Sequence, residues 1–97
     1  MKLVVLYAPP ADPQAFDAWY FGDHVPLVNS VPGLVANRIT RFTRTLSGAG
    51  FYLMAELIFA DQAGLKHALR SPEMTAVGAD ANAHAAALMT MMLATEE

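Results

Sequence analysis

The stretch Ala83-His84-Ala85-Ala86-Ala87-Leu88-Met89-Thr90-Met91-Met92-Leu93-Ala94-Thr95 decides the fold. Its alanine, leucine and methionine content favours helix on propensity alone. A helix there leaves the chain with an odd number of strands. Read instead as a strand over about Ala87 to Ala94, it completes the order strand, helix, strand, strand, helix, strand. That is the split βαβ arrangement, an α+β fold whose four-stranded antiparallel sheet carries its helices on one face.

The other elements support this order. Lys2 to Ala8 is a short Val/Leu/Tyr run stopped by Pro9-Pro10, because β-branched residues suit a pleated surface and proline cannot continue the ladder. Asp12 and Pro13 form a helix start, an acceptor for free amides followed by a residue with helical φ already set. Phe16, Tyr20, His24, Leu27 and Val31 then recur at three or four, so one helical face carries large aromatics and a histidine. Pro26 predicts a bend near Gly22-Asp23, and Pro32-Gly33 ends the segment. Val35 to Thr45 and Phe51 to Phe59 alternate as strands, and Ser47-Gly48-Ala49-Gly50 joins them as a hairpin. Asp61 caps a helix that Ser71-Pro72 closes, and a shorter helical stretch follows from about Glu73 to Ala81.

Composition bounds the function. The chain has 97 residues, 55% hydrophobic and 15% charged, with a formal charge of −3. A monomer of this mass exposes about 5,400 Å², so one core and one domain over residues 1–97 are expected. No basic cluster exists to bind a phosphate backbone, which argues against nucleic acid. With zero cysteines there is no disulfide, thiolate zinc site or cysteine nucleophile. No His/Asp/Glu spacing resembles a metal site, and no glycine-rich phosphate loop or serine-hydrolase elbow occurs, so neither metal nor cofactor is expected. The N-terminal apolar run is too short for a signal peptide. The run Ala85 to Ala94 falls short of the roughly 18 to 20 residues that span a bilayer, so a soluble, cytoplasmic protein is expected.

Two helices on one face leave the other face of the sheet bare and apolar. A second copy of the chain is the natural cover, giving a homodimer through the open sheet face. Two sheets packed together, or closed into one barrel, enclose an interior where a small apolar or aromatic ligand fits.

The run Phe16-Asp17-Ala18-Trp19-Tyr20-Phe21-Gly22-Asp23-His24-Val25-Pro26-Leu27-Val28, followed by Val31-Pro32-Gly33-Leu34, resembles the EthD family of the dimeric α/β-barrel superfamily. The shared signature is an aromatic pair, then His-x-Pro-Leu, then Pro-Gly-Leu. Tyr52 to Phe59 followed by Asp61, and Ser71-Pro72-Glu73, are further matches. The chain departs from the pattern at Val35-Ala36-Asn37, where an arginine or aromatic residue is frequent. The resemblance implies a ferredoxin-like protomer that dimerises through its sheet into an α/β barrel. It also implies kinship with lactone isomerases, polyketide cyclases and cofactor-independent monooxygenases, which share proton transfer in a small enclosed pocket.

His24 is the candidate catalytic residue, since an imidazole exchanges protons near neutrality. The alternative is a histidine that caps the bent helix at a carbonyl freed by Pro26. Tyr7, Trp19, Tyr20 and Tyr52 are the candidate substrate-binding residues. Tyr7 and Tyr20 either hold a substrate oxygen or pack the core, and Trp19 either stacks on a ring or anchors core or dimer. Glu56, in mid-strand, needs a partner, with Arg38 and Arg41 across the hairpin in reach. Asp23 points about 100° away from His24 on a helix and faces solvent. His67 and His84 read as surface-helix and tail residues.

Overall fold

Lys2–Tyr7 forms strand β1, which ends where Pro9-Pro10 removes the amides that would extend the ladder. The computed structural model describes Met1 to Glu97. Helix α1 (Pro13–Trp19) starts at Asp12, whose side chain accepts from the Ala15 amide at 3.1 Å. Pro26 then imposes the bend. It has no N–H to return to Gly22, and the chain widens into a π-helical turn over Tyr20–His24, in which the Val25 amide donates to the Tyr20 carbonyl. Helix α2 (Val25–Asn29) continues from it, and Gly33, at φ +78, turns the chain into strand β2 (Leu34–Arg41).

Strand β3 (Leu53–Phe59) leads to helix α3 (Gln62–Leu69), capped by Asp61 on the Gly64 amide at 2.8 Å. Helix α4 (Pro72–Ala85) is capped by Ser71, whose hydroxyl accepts from the Met74 amide at 3.1 Å. A short 3₁₀ turn, Ala86–Leu88, passes into strand β4 (Met89–Ala94). The sheet order is β2-β3-β1-β4 with all neighbours antiparallel. It is the ferredoxin-like α+β arrangement, with an open sheet.

Several boundaries differ from the sequence reading. The first hairpin strand ends at Arg41 rather than Thr45, and its partner starts at Leu53 rather than Phe51. The ladder ends at the pair Arg41–Leu53, where Leu53 also faces Tyr7, the last residue of β1. Helix α4 runs to Ala85 rather than Ala81, since no glycine cap or proline stops it. The last strand begins at Met89, two residues later than expected.

The pleat divides the sheet cleanly. Val5 and Tyr7 share a face with Leu53, Ala55, Leu57 and Phe59, and all six are buried under the helices. Phe16, Trp19 and Tyr20 join Tyr7 in an aromatic cluster with ring centroids 5.4 to 5.8 Å apart. On the other face Val4, Leu6, Met54 and Ile58 are only half buried, and Met92 is 43% exposed. The accessible surface of 5891 Å² exceeds the about 5,400 Å² of a typical monomer of this mass, and this face accounts for part of the excess. Glu56, also on it, pairs with Lys2 at 2.8 Å rather than with Arg38 or Arg41. The hairpin supplies only one neighbour of β3, whereas β1, on the other side, brings Lys2 diagonally across from Glu56. Arg41 instead bonds Asp17 at 3.1 Å. No helix is long and apolar enough to cross a membrane.

Candidate functional site

His24 closes the π-helical turn, and that turn buries it: only 4% of the residue is exposed. Its Nδ1 lies 2.9 Å from Oδ2 of Asp80 on α4. The alternative reading, a cap on a backbone carbonyl beside Pro26, is replaced by this side-chain bond. The same carboxylate oxygen accepts from Trp19 Nε1 at 3.1 Å. His84, one turn further along α4, sets its ring against Trp19 with centroids 4.8 Å apart and planes 18° apart, and its Nδ1 donates to the Asp80 carbonyl at 2.9 Å. That nitrogen is also 3.4 Å from Asp80 Oδ1.

Burial alone would push the Asp80 carboxyl up. The hydrogen bonds from His24 and Trp19 and the fields of both histidines outweigh it, and hold the group below the usual carboxylate range. Asp80 is therefore a fixed anion. A carboxylate can only accept, so the bond requires a proton on His24 Nδ1, which leaves Nε2 with a free lone pair in the neutral ring.

His24 lines a cavity of about 210 Å³ between the sheet and the helices. Tyr7, Val5, Leu57 and Met89 form its floor, and Tyr20, Val28, Val77 and Ala81 its roof. Leu69 and Met91, 43% and 61% exposed, mark its mouth. The cavity thus lies on the helix-covered face within one protomer, lined by alternate strand residues and by the helix residues above them. Burial pushes the Tyr7 phenol up to about 12, helped by the charge of Asp80. Burial, with a smaller contribution from Tyr7, raises Tyr20 as well. Both hydroxyls keep their protons at neutral pH and can donate to a ligand oxygen.

Of the five residues singled out in the sequence, the structure brings three, Tyr7, Tyr20 and His24, to this cavity. Trp19 lies behind it, holding Asp80. Tyr52 lies outside the lining, its hydroxyl donating to Asp17 Oδ1 at 2.8 Å. Asp23 and His67 are exposed. The sequence reading missed Asp80 and took His84 for a tail residue, although Asp80 and His84 stand four apart on a stretch that is all helix. No three His, Asp or Glu side chains come together in a group that could hold a metal ion.

Comparison with known proteins places the chain in a family. The EthD domain model matches residues 8–87. An uncharacterized 11.0 kDa protein from the thcB-thcC intergenic region of Rhodococcus erythropolis is 34% identical over 102 residues, covering 99% of this chain and 94% of that one. The crystal structure of an EthD family protein from Bacillus halodurans superposes with a TM-score of 0.94 at 41% identity, covering 99% of this chain and 97% of that one. Two more distant structures share the fold. A dimeric ferredoxin-like protein from Jannaschia sp. has a TM-score of 0.68 at 16% identity, with 97% of each chain covered. SnoaB, a cofactor-independent oxygenase from Streptomyces nogalater, has a TM-score of 0.65 at 19% identity, with 99% and 93% covered. With the family model spanning most of its length and relatives above 30% identity over nearly all of it, the chain belongs to the EthD family.

Proposed function

We propose that the cavity is the active site of a cofactor-free enzyme that moves a proton on a small cyclic or aromatic molecule, with His24 as the general base. The observation that carries this reading is the His24–Asp80 hydrogen bond on the wall of an apolar cavity. The bond fixes the ring and its tautomer, and the neighbouring anion stabilises the imidazolium formed when Nε2 takes a proton. The electron pair left behind moves onto the substrate oxygen, where Tyr7 and Tyr20 donate hydrogen bonds. Return of the proton to a different carbon gives isomerisation; attack of the carbanion on a carbonyl carbon of the same molecule, whose oxygen then takes the proton, gives cyclisation; reaction of the anion with dioxygen as the oxidant gives oxygenation. SnoaB, described as a cofactor-independent oxygenase, supports the reading as an example of such chemistry on this fold.

The same reading pairs two protomers through the half-buried face of Val4, Leu6, Met54, Ile58 and Met92, and a dimeric state is supported by the Jannaschia neighbour, which is described as dimeric. The protein would then act in the cytoplasm as a homodimer, with one cavity per protomer.

The test is His24→Ala together with His24→Gln, assayed against a panel of single-ring phenols, lactones and enolisable ketones. Glutamine can still donate to Asp80 but cannot serve as the base. Both variants are expected to lose about 10²–10⁴-fold in turnover while keeping the wild-type circular dichroism; His24→Ala melts lower because it leaves Asp80 without its partner, and His24→Gln, which retains a donor, melts closer to the wild type. Unchanged turnover in His24→Gln would exclude His24 as the base. If no wild-type turnover is found but ligands bind, the protein is a ligand-binding or accessory module instead.

A further inference from the structure

The charges of this protein are distributed so that none of the cations reaches the cavity. Neither lysine nor arginine is among its sixteen lining residues, thirteen of which are hydrophobic. Lys2 is held by Glu56 on the opposite face of the sheet, and Arg41 by Asp17. Arg38, Arg44, Lys66 and Arg70 are exposed elsewhere. The fixed charge nearest the polar end is the Asp80 carboxylate, whose Oδ2 accepts from Trp19 and His24 and whose Oδ1 lies 3.4 Å from His84 Nδ1. An anion entering here would give up its hydration, find no lysine or arginine, and meet a carboxylate. A cation would find the carboxylate already engaged.

Size adds a second constraint. An apolar cavity of about 150 Å³ holds a benzene ring, and sites for drug-sized ligands begin near 300 Å³. At about 210 Å³ this cavity takes one ring with a small substituent. Its three buried polar side chains sit together, the Tyr20 ring 5.4 Å from those of Tyr7 and His24, so that they can share one ligand oxygen; the fourth polar lining residue, Asn82, is exposed, and Leu69 and Met91 at the mouth are apolar.

We infer that the ligand is an uncharged single-ring molecule bearing one hydrogen-bonding oxygen, and that the site rejects carboxylates and phosphate esters. The inference rests on the proposed active site but concerns binding, so it can be tested without turnover. Isothermal titration of the wild-type protein at neutral pH with phenol, benzoate and 2-naphthol separates charge from size. Phenol should bind at least about tenfold more tightly than benzoate, which must be desolvated without a partner, and more tightly than the two-ring 2-naphthol. Benzoate binding as well as phenol, 2-naphthol binding better, or phenol not binding at all would each overturn it.

A second variant locates the site. Gly78 lines the cavity on α4, and a Cβ there meets no heavy atom within 4 Å. Gly78→Leu should retain the wild-type melting temperature while weakening phenol at least about tenfold by occupying ligand space. Unchanged phenol binding in that variant would put the ligand elsewhere and overturn the proposal. Phenol selectivity alongside undiminished turnover in His24→Gln would keep the ligand class and remove the catalytic reading.

Discussion

Asp80 Oδ2 lies 2.9 Å from His24 Nδ1, joining two residues 56 positions apart in the chain. The relationship dictates which imidazole nitrogen carries the proton. In the neutral ring Nδ1 is protonated and Nε2 is bare. Long-range ¹H–¹⁵N correlation spectra should identify this tautomer for His24 in the wild type, and a mixture of tautomers in Asp80→Ala. A wild-type ring protonated at Nε2 and bare at Nδ1 would contradict the geometry and the assignment of Nε2 as the base.

The depressed Asp80 carboxyl makes an acid-side prediction. Its folded-state pKa lies below the unfolded value of 3.8, so the unfolded chain binds its proton first as the pH falls. The stabilisation is thus fully present above the unfolded value and is lost as the pH drops through the folded one. Urea unfolding should give a stability gap between wild type and Asp80→Asn that is present at pH 5 and narrows below pH 4. A gap that widens on acidification would mean that the carboxyl is raised, not lowered.

The tyrosines act at the alkaline end. With Tyr7 raised from 10.0 to about 12, the unfolded chain loses its proton before the folded one does. Stability is therefore unaffected below pH 10 and falls as the pH rises from 10 towards 12. Tyr7→Phe should flatten this alkaline decline in melting experiments, and the wild-type phenolate absorbance at pH 11 should remain below that of the denatured protein. Equal absorbance of folded and unfolded protein would refute the burial of these hydroxyls.

The half-buried sheet face predicts an assembly. Val4 sits at its centre, opposite Glu56 on one side and Met92 on the other. Val4→Glu would place an unpaired charge in each half of a symmetric interface, at a cost of several kcal/mol per ion. Sedimentation velocity should report a dimer for the wild type and a monomer for Val4→Glu. A wild-type monomer, or a dimer unaffected by the substitution, would assign the interface elsewhere.

Local sequence signals were sufficient for most of the architecture. Pro9-Pro10 ends β1, Asp12-Pro13 and Ser71-Pro72 open helices, Pro26 sets the π-helical turn, and the alternation in Leu53–Phe59 predicts its buried face. Each acts on backbone neighbours within one turn or one pleat, which is why it is legible in a linear chain. The final strand is the instructive case: Met89–Ala94 has helical composition but pairs with β1 from Lys2 to Tyr7, because ladder bonds to a central strand override a weak intrinsic preference.

The site divides along the same line. His24 and its aromatic neighbours stand out in the sequence because a bulky stripe at helical spacing and a proline two residues on are local features. Asp80 has no such mark within an alanine-rich helix, and becomes a partner only when α4 packs against the π-helical turn and brings it to Trp19 and His24. Charge pairing, cavity position and the choice between two imidazole nitrogens all depend on which distant elements meet. Sequence alone determined the elements and their order; the packing of α4 over the sheet decided the partner of His24 and the side of the sheet on which the cavity lies.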